Sequence, residues 1–251
     1  MNRVIAAAVQ FQPRLLEVER NLAVARSLIF EAGGKGAQLI VLPELCISGG
    51  VLHTAREAAA ASQTKDGYQT RVISEIASLV HSYVIFGYIE LSEGKLYNSA
   101  LLISPRGEIL LNIRKKNLQG SDNLWATPGD TSVNGVAVTP FGRVGALICG
   151  DVTNTPRASA QLGMKDNFYK KGSVDTIALL TNWGSEYAYP DSSWVSLSES
   201  LGVNVIVSNR YGEERDITYK GGCCIISKNK ELYTEGSYFD DDSIVGGYLI
   251  C

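Results

Sequence analysis

Short, continuous apolar runs alternate with stretches of helical periodicity along this chain. Val4–Val9 is such a run, and Glu17–Ala32 follows it with Val18, Leu22, Val24-Ala25 and Leu28-Ile29 at helical spacing. Gly33-Gly34-Lys35-Gly36 is expected to break that helix before a second run, Ala37–Leu42, which ends in Pro43-Glu44. Thr70–His81 repeats the amphipathic pattern and leads into Tyr83–Ile89. Two hairpin signals follow, Ser92-Glu93-Gly94-Lys95 and Ser104–Glu108, so three consecutive strands there are expected to be antiparallel neighbours. Past a polar stretch, Asn117–Asp130, strands resume at Val136–Val138 and Val144–Cys149. The stretch Thr153–Gly172 is polar and only weakly helical. Thr176–Leu180 then runs into Thr181-Asn182-Trp183-Gly184, a helix is expected over Ser193–Leu201, and Val203–Val207 and the tail from Gly221 supply the last strands.

Alternating buried strands and covering helices, interrupted by hairpins, describe an α/β protein with mixed sheets and helices on their outer faces. No composition break marks a linker, so residues 1–251 read as one domain with two similar halves. In such sheets the reactive groups collect beyond strand ends, where loops converge without disrupting the ladder. Glu44, Cys149 and the Asn182-Trp183 pair all stand at such ends.

Composition narrows the chemistry. The chain is 45% apolar and 20% charged, which is globular, and its net charge of −3 offers no electrostatic case for nucleic acid or an anionic membrane. A small, weakly charged substrate is the natural partner. The apolar start is too short for a signal-peptide core, and no run approaches the roughly 20 residues of a membrane span. With an odd set of five cysteines in no metal-ligand spacing, reduced thiols in a cytoplasm are expected. Only His53 and His81 are present, which disfavours Ser-His-Asp or Cys-His chemistry and a His-rich metal site. The Gly33–Gly36 cluster is no phosphate loop, because it follows a helix and precedes a strand.

Three residues remain as candidates for chemistry. Cys149 follows an apolar run, and Gly150 beside it would let a carbonyl oxygen approach the backbone N–H; the ordinary alternative is an inert core thiol. Glu44 ends a buried strand where one side is desolvated, a setting that suits a general base, or it is a surface acid at a strand end. Lys115 sits in Arg114-Lys115-Lys116, ordinarily a solvated basic turn. Period-two alternation would instead turn Lys115 inward and leave its neighbours in water, and an ammonium beside a thiol favours the thiolate and an oxyanion.

Together these residues carry a resemblance to the nitrilase, or carbon–nitrogen hydrolase, superfamily along nearly the whole chain. Leu42-Pro43-Glu44-Leu45 resembles its glutamate motif, Ile113–Leu118 its lysine motif and Gly145–Asp151 its cysteine motif. Phe86-Gly87, Leu96–Ser99, Pro105-Arg106-Gly107, Pro128-Gly129-Asp130, Ser208-Asn209-Arg210 and Gly221-Gly222 fall in the family's usual order. The resemblance implies a four-layer α-β-β-α sandwich of two mixed sheets, with Glu44 as base, Lys115 as oxyanion stabiliser and Cys149 as nucleophile. Asp122 takes the place of a supporting glutamate, a shorter acid that reaches less far, and Gly150, Asn182 and Trp183 would meet the substrate; Trp183 reads equally as a core tryptophan. No metal or organic cofactor is implied, and pairing into a homodimer or higher oligomer is.

Family amidases usually place an aromatic residue after the cysteine, whereas this chain has Gly150-Asp151-Val152-Thr153-Asn154-Thr155-Pro156, so the pocket wall should be more open or differently filled. The activity expected is hydrolysis of a small linear carboxamide to acid and ammonia through a thioester. A nitrilase or N-carbamoyl hydrolase could use the same thiol, and a catalytically silent regulatory or scaffold member is the alternative of another class.

Overall fold

The computed structural model describes residues 3–130, 135–154, 169–184, 190–229, 231–233 and 241–250. Two six-stranded sheets face one another. The first runs β14-β1-β2-β3-β4-β5, built from β14 (Ser243–Ile250), β1 (Arg3–Gln10), β2 (Leu39–Val41), β3 (Tyr83–Ser92), β4 (Lys95–Ile103) and β5 (Ile109–Arg114). The second runs β13-β12-β9-β8-β7-β6, from β13 (Leu232–Tyr233), β12 (Cys224–Ile226), β9 (Asn204–Asn209), β8 (Thr176–Thr181), β7 (Gly142–Ile148) and β6 (Ala137–Thr139). Both are mixed: β1, β2 and β3 run parallel, as do β7, β8 and β9, and the flanking pairs are antiparallel.

Strand alternation divides each run between two cores. Ala6 and Ala8 turn inward, where Val41, Ile85 and Leu102 of the first sheet meet Val144, Ala146, Ile148, Ala178 and Ile206 of the second. Ala7 and Val9 turn outward, under the apolar faces of α1 (Val18–Gly34) and α3 (Tyr68–Leu79), represented by Leu22, Ile29, Ile73 and Ala77. On the far side Leu147, Ile177, Leu179 and Val205 pack beneath Trp194, Leu197 and Leu201 of α4 (Ser192–Leu201). The result is the α-β-β-α sandwich. Each fully buried Leu or Ile contributes about 1.5–3 kcal/mol by leaving water, so the strands' nearly continuous burial, rather than helix propensity, holds these layers.

The expected hairpins are present. Glu93 and Gly94 both adopt positive φ, 51° and 73°, as a two-residue turn between β3 and β4 requires. α4 is capped by Asp191, whose Oδ1 accepts the Ser193 N–H at 2.8 Å, and it ends at Gly202 in the left-handed region.

Several details depart from the sequence reading. α1 runs through Gly33 and Gly34 instead of stopping there; the bare Cα of Gly33 packs against Val80, and the helix gives way only at Lys35 and Gly36. The two halves are not self-contained, because β14 crosses to the first sheet and pairs along the whole of β1, from Arg3↔Ile250 to Gln10↔Ser243. A short helix, α2 (Ala55–Ala61), and a two-stranded ribbon of β10 (Tyr211–Glu214) and β11 (Ile217–Lys220) were not anticipated. Most of Thr153–Gly172 lies outside the described residues. Among the described residues no helix is long and apolar enough to cross a membrane.

Candidate active site

Four strand ends deliver side chains to one cavity of about 160 Å³, where Glu44, Lys115, Asp122, Cys149, Asn182 and Trp183 all form part of the wall. Glu44 does not stand on β2 itself. The strand stops at Val41, Leu42 donates one more main-chain hydrogen bond to Ile85 at 2.8 Å, and Glu44 lies in the turn beyond, where Leu45 has φ 46°. Gly87 on β3 makes room for that turn: a Cβ there would lie 2.4 Å from the Leu45 nitrogen and 2.8 Å from the Glu44 Cα.

Lys115 follows β5, and the alternation expected of it is seen, with Ile113 and Lys115 buried on one side and Arg114 turned to the other. Its ammonium donates to Glu44 Oε1 at 2.7 Å and to Asp122 Oδ2 at 2.5 Å. The shorter acid reaches because a 3-10 turn, Gly120–Leu124, carries Asp122 directly beneath the lysine. Burial disfavours the ammonium, but Glu44, Cys149 and Asp122 more than offset this and hold Lys115 well above the ordinary lysine pKa. An ammonium has three N–H donors, so these two acceptors leave one donor uncommitted among the described residues.

The expectation that both neighbours of Lys115 stay in water is corrected. Arg114 forms a bidentate pair with the buried Glu90, at 2.6 and 2.8 Å, and lies over the Tyr97 ring at 3.8 Å. Lys116 is half-buried, and burial lowers its pKa.

Asn98 belongs to the site although it was noticed only as part of a family marker. Fully buried on β4, it donates from Nδ2 to Glu44 Oε1 at 2.8 Å and Asp122 Oδ1 at 3.2 Å. Its carbonyl also accepts the Lys115 N–H at 2.7 Å. A polar amide in the middle of an otherwise apolar buried strand was the available signal, since such a group must find partners. Glu44 thereby receives both bonds on Oε1, while its buried Oε2 has no hydrogen-bond partner among the described residues.

Cys149 opens a 3-10 turn, Cys149–Asn154, directly after β7 and has φ 43°, a strained conformation for a residue with a side chain. Burial and then the charge of Glu44 push its thiol pKa up, against the pull of Lys115 and the Asn182 backbone N–H. Both raising effects favour the thiol over the thiolate. Asn182, with its amide in the orientation that satisfies its neighbours, donates to the Thr181 and Glu44 carbonyls at 3.2 Å each. Trp183 combines its two alternative readings: it lines the cavity and packs edge-on against Trp194, centroids 5.8 Å apart.

Gly150 departs from expectation. It is not part of the cavity wall, because the side chain of Gln119 covers it; a Cβ on Gly150 would lie 2.5 Å from Gln119 Cδ and 2.7 Å from Oε1. Gln119 thus takes the space that a side chain at position 150 would occupy. Asn117 and Asp151 complete this corner, Asn117 donating from Nδ2 to the Gly150 carbonyl at 2.8 Å.

The far wall comes from the unanticipated ribbon, which contributes Ile217 and Tyr219. Arg210 lies over the Tyr219 ring at 4.5 Å and pairs with Glu214 at 2.7 Å, both buried. Glu214 Oε1 in turn accepts the N–H groups of Gly50 and Val51, which also line the cavity.

A carbon-nitrogen hydrolase family model matches residues 5–245. The chain belongs to that family. A nitrilase of Pyrococcus abyssi is 31% identical over 240 residues, 95% of this chain and 87% of the relative. A protein N-terminal amidase of Schizosaccharomyces pombe is 24% identical over 260 residues, covering 87% of this chain and 89% of the relative. Among solved structures, a double mutant of the amidase from Nesterenkonia sp. AN1 in complex with acrylamide superposes with a TM-score of 0.81 at 18% identity, over 99% of this chain and 91% of that one. The sandwich is the fold of this carbon–nitrogen hydrolase family.

Proposed function

We propose that this carbon–nitrogen hydrolase is an amidase that converts a small linear carboxamide to acid and ammonia, with residues 1–251 as its single domain. The reading is carried by one observation: the two charged partners of Lys115 and the thiol of Cys149 share one small cavity in which Glu44 Oε2 has no hydrogen-bond partner among the described residues.

Because the resting group is a thiol, a base must take its proton as it attacks. Glu44 accepts that proton and the sulfur adds to the amide carbon. The remaining Lys115 N–H faces the oxygen that gains charge, in a site where little water screens it. As the tetrahedral adduct collapses, the C–N bond breaks and Glu44 returns the proton to the departing nitrogen, releasing ammonia. A water then attacks the thioester, Glu44 takes its proton, the C–S bond breaks, and the acid leaves as the thiol is restored. Asp122 and Asn98 keep Lys115 and Glu44 in register, and no step uses a metal or organic cofactor. Pairing of two copies and a cytoplasmic setting belong to the same reading, on the strength of the family resemblance and the reduced cysteines.

The decisive experiment is ammonia release from a panel of small amides, nitriles and carbamoyl compounds, with Cys149→Ala as the control. Release from amides, lost in the variant, is expected. Turnover of nitriles alone would replace this reading with a nitrilase, and no turnover of any class would favour a regulatory member.

A further inference from the structure

Gln119 occupies an unusual position for a surface residue. Its backbone is extended and exposed, and it leads into the 3-10 turn that carries Asp122, yet its side chain turns back over Gly150 and forms part of the cavity wall. The terminal amide has no hydrogen-bond partner among the described residues, although it offers two donors and an acceptor one residue away from Cys149. Two neighbouring polar groups of the wall are engaged: Ser121 donates to the Gly50 carbonyl at 3.1 Å, and Asn182 bonds to main-chain carbonyls.

Charge limits what can approach this amide. Among the described residues of the wall, Lys115 is the only cation, and two carboxylates already share it. A substrate with a carboxylate near its reacting carbon would enter beside Glu44 and Asp122 with no unshared cation among the described residues to meet it, a costly placement in a small cavity.

Resting on the amidase reading, we propose that Gln119 is a specificity-determining residue that hydrogen-bonds an uncharged polar group close to the scissile carbonyl. The preferred substrates are then small neutral amides bearing a hydroxyl or a second carboxamide, and amides carrying a carboxylate there are rejected. Gly150 permits this arrangement, since any larger residue would displace the glutamine.

Two matched pairs test it: glycolamide against propionamide, which exchange a hydroxyl for a methyl, and malonamide against malonamate, which exchange an amide for a carboxylate. The wild-type protein should favour the first member of each pair in kcat/KM by about tenfold, the net worth of one neutral hydrogen bond. Gln119→Leu should erase the glycolamide preference, chiefly through KM, and Gly150→Ala should do the same with the glutamine chemically intact. Gln119→Lys should raise the malonamate-to-malonamide ratio about tenfold. Turnover with ratios unaltered by Gln119→Leu, or a wild-type preference for malonamate, would overturn this inference alone. Ammonia from none of the four amides would sink the amidase reading together with it.

Discussion

Asp151 joins the two sheets: from the turn that begins at Cys149, its Oδ1 accepts the main-chain N–H of Asn117 at 2.8 Å. The same oxygen accepts the Lys116 N–H at 3.1 Å, so one carboxylate fixes the segment bearing Lys115 against the segment bearing the thiol. Burial raises the Asp151 carboxyl to about 6, with the Asn117 N–H and the charge of Lys115 pulling it back only in part.

Activity should therefore fall as pH drops through about 6, because protonation weakens the acceptor that aligns the two segments. Stability moves the other way. A carboxyl whose folded pKa lies above its unfolded value favours the fold below about 3.8, and that contribution is lost as pH rises through about 6. Asp151→Asn removes this titration, so the wild type should gain on the variant, by up to about 3 kcal/mol, between pH 7 and pH 4. Melting curves at both pH values and a pH–rate profile check the two signs; an unchanged acid limb in the variant would assign that limb to another group.

The two thiols near the carboxylate should behave differently. Cys46 is buried two residues beyond Glu44, its sulfur bonded to the Gly87 carbonyl at 3.4 Å, and burial pushes its pKa up to about 12. Cys46→Ala should keep ammonia release and cost about 1 kcal/mol of stability, whereas Cys149→Ala should abolish release. The reverse outcome, measured on purified variants, refutes the assignment of the nucleophile.

Lys115→Ala should lose activity and also stability, by about 3–5 kcal/mol, since Glu44 and Asp122 would be left as buried carboxylates without their cation. Adding Asp122→Asn should restore part of the stability but none of the activity. Lys116→Ala, at a half-buried position, should shift stability by less than about 1 kcal/mol and leave most of the activity. Denaturant titrations with parallel assays separate these cases, and equal losses from both lysines would contradict the inward role of Lys115.

Glu44→Gln retains a side chain that can accept from Lys115 but removes the base that activates water. With an activated ester, whose leaving group departs without a proton from Glu44, mass spectrometry of the digested variant should find an acyl adduct on the peptide that contains Cys149. An adduct on any other cysteine would argue against the thioester at this position.

Much of this was legible in the chain because the signals were local. The strands were continuous apolar runs, the hairpins carried glycine turns, and the residues now seen as Glu44, Lys115 and Cys149 each closed such a run. Gln119 was not legible, since nothing in its neighbours reveals that its side chain folds over Gly150, 31 positions later in the chain. The ribbon of β10 and β11 was missed for a related reason: its strands alternate weakly, and Arg210 and Glu214, besides pairing with each other, are held by distant backbone, Arg210 by the Pro13 carbonyl and Glu214 by the Gly50 and Val51 N–H groups. The basic triplet misled in part because the partner of Arg114, Glu90, stands on a different strand.

The pairing of β1 with β14 has a consequence for how the molecule comes into being. β1 hydrogen-bonds β14, with Val4 opposite Leu249, so one flank of β1 stays an open edge until a strand more than 200 positions farther along the chain has been made. Closing so long a loop costs entropy before any contact rewards it, which places this step late and makes it slow. That flank of an apolar strand therefore stays exposed until β14 docks, and that interval is when the chain is most open to aggregation or to capture by a chaperone.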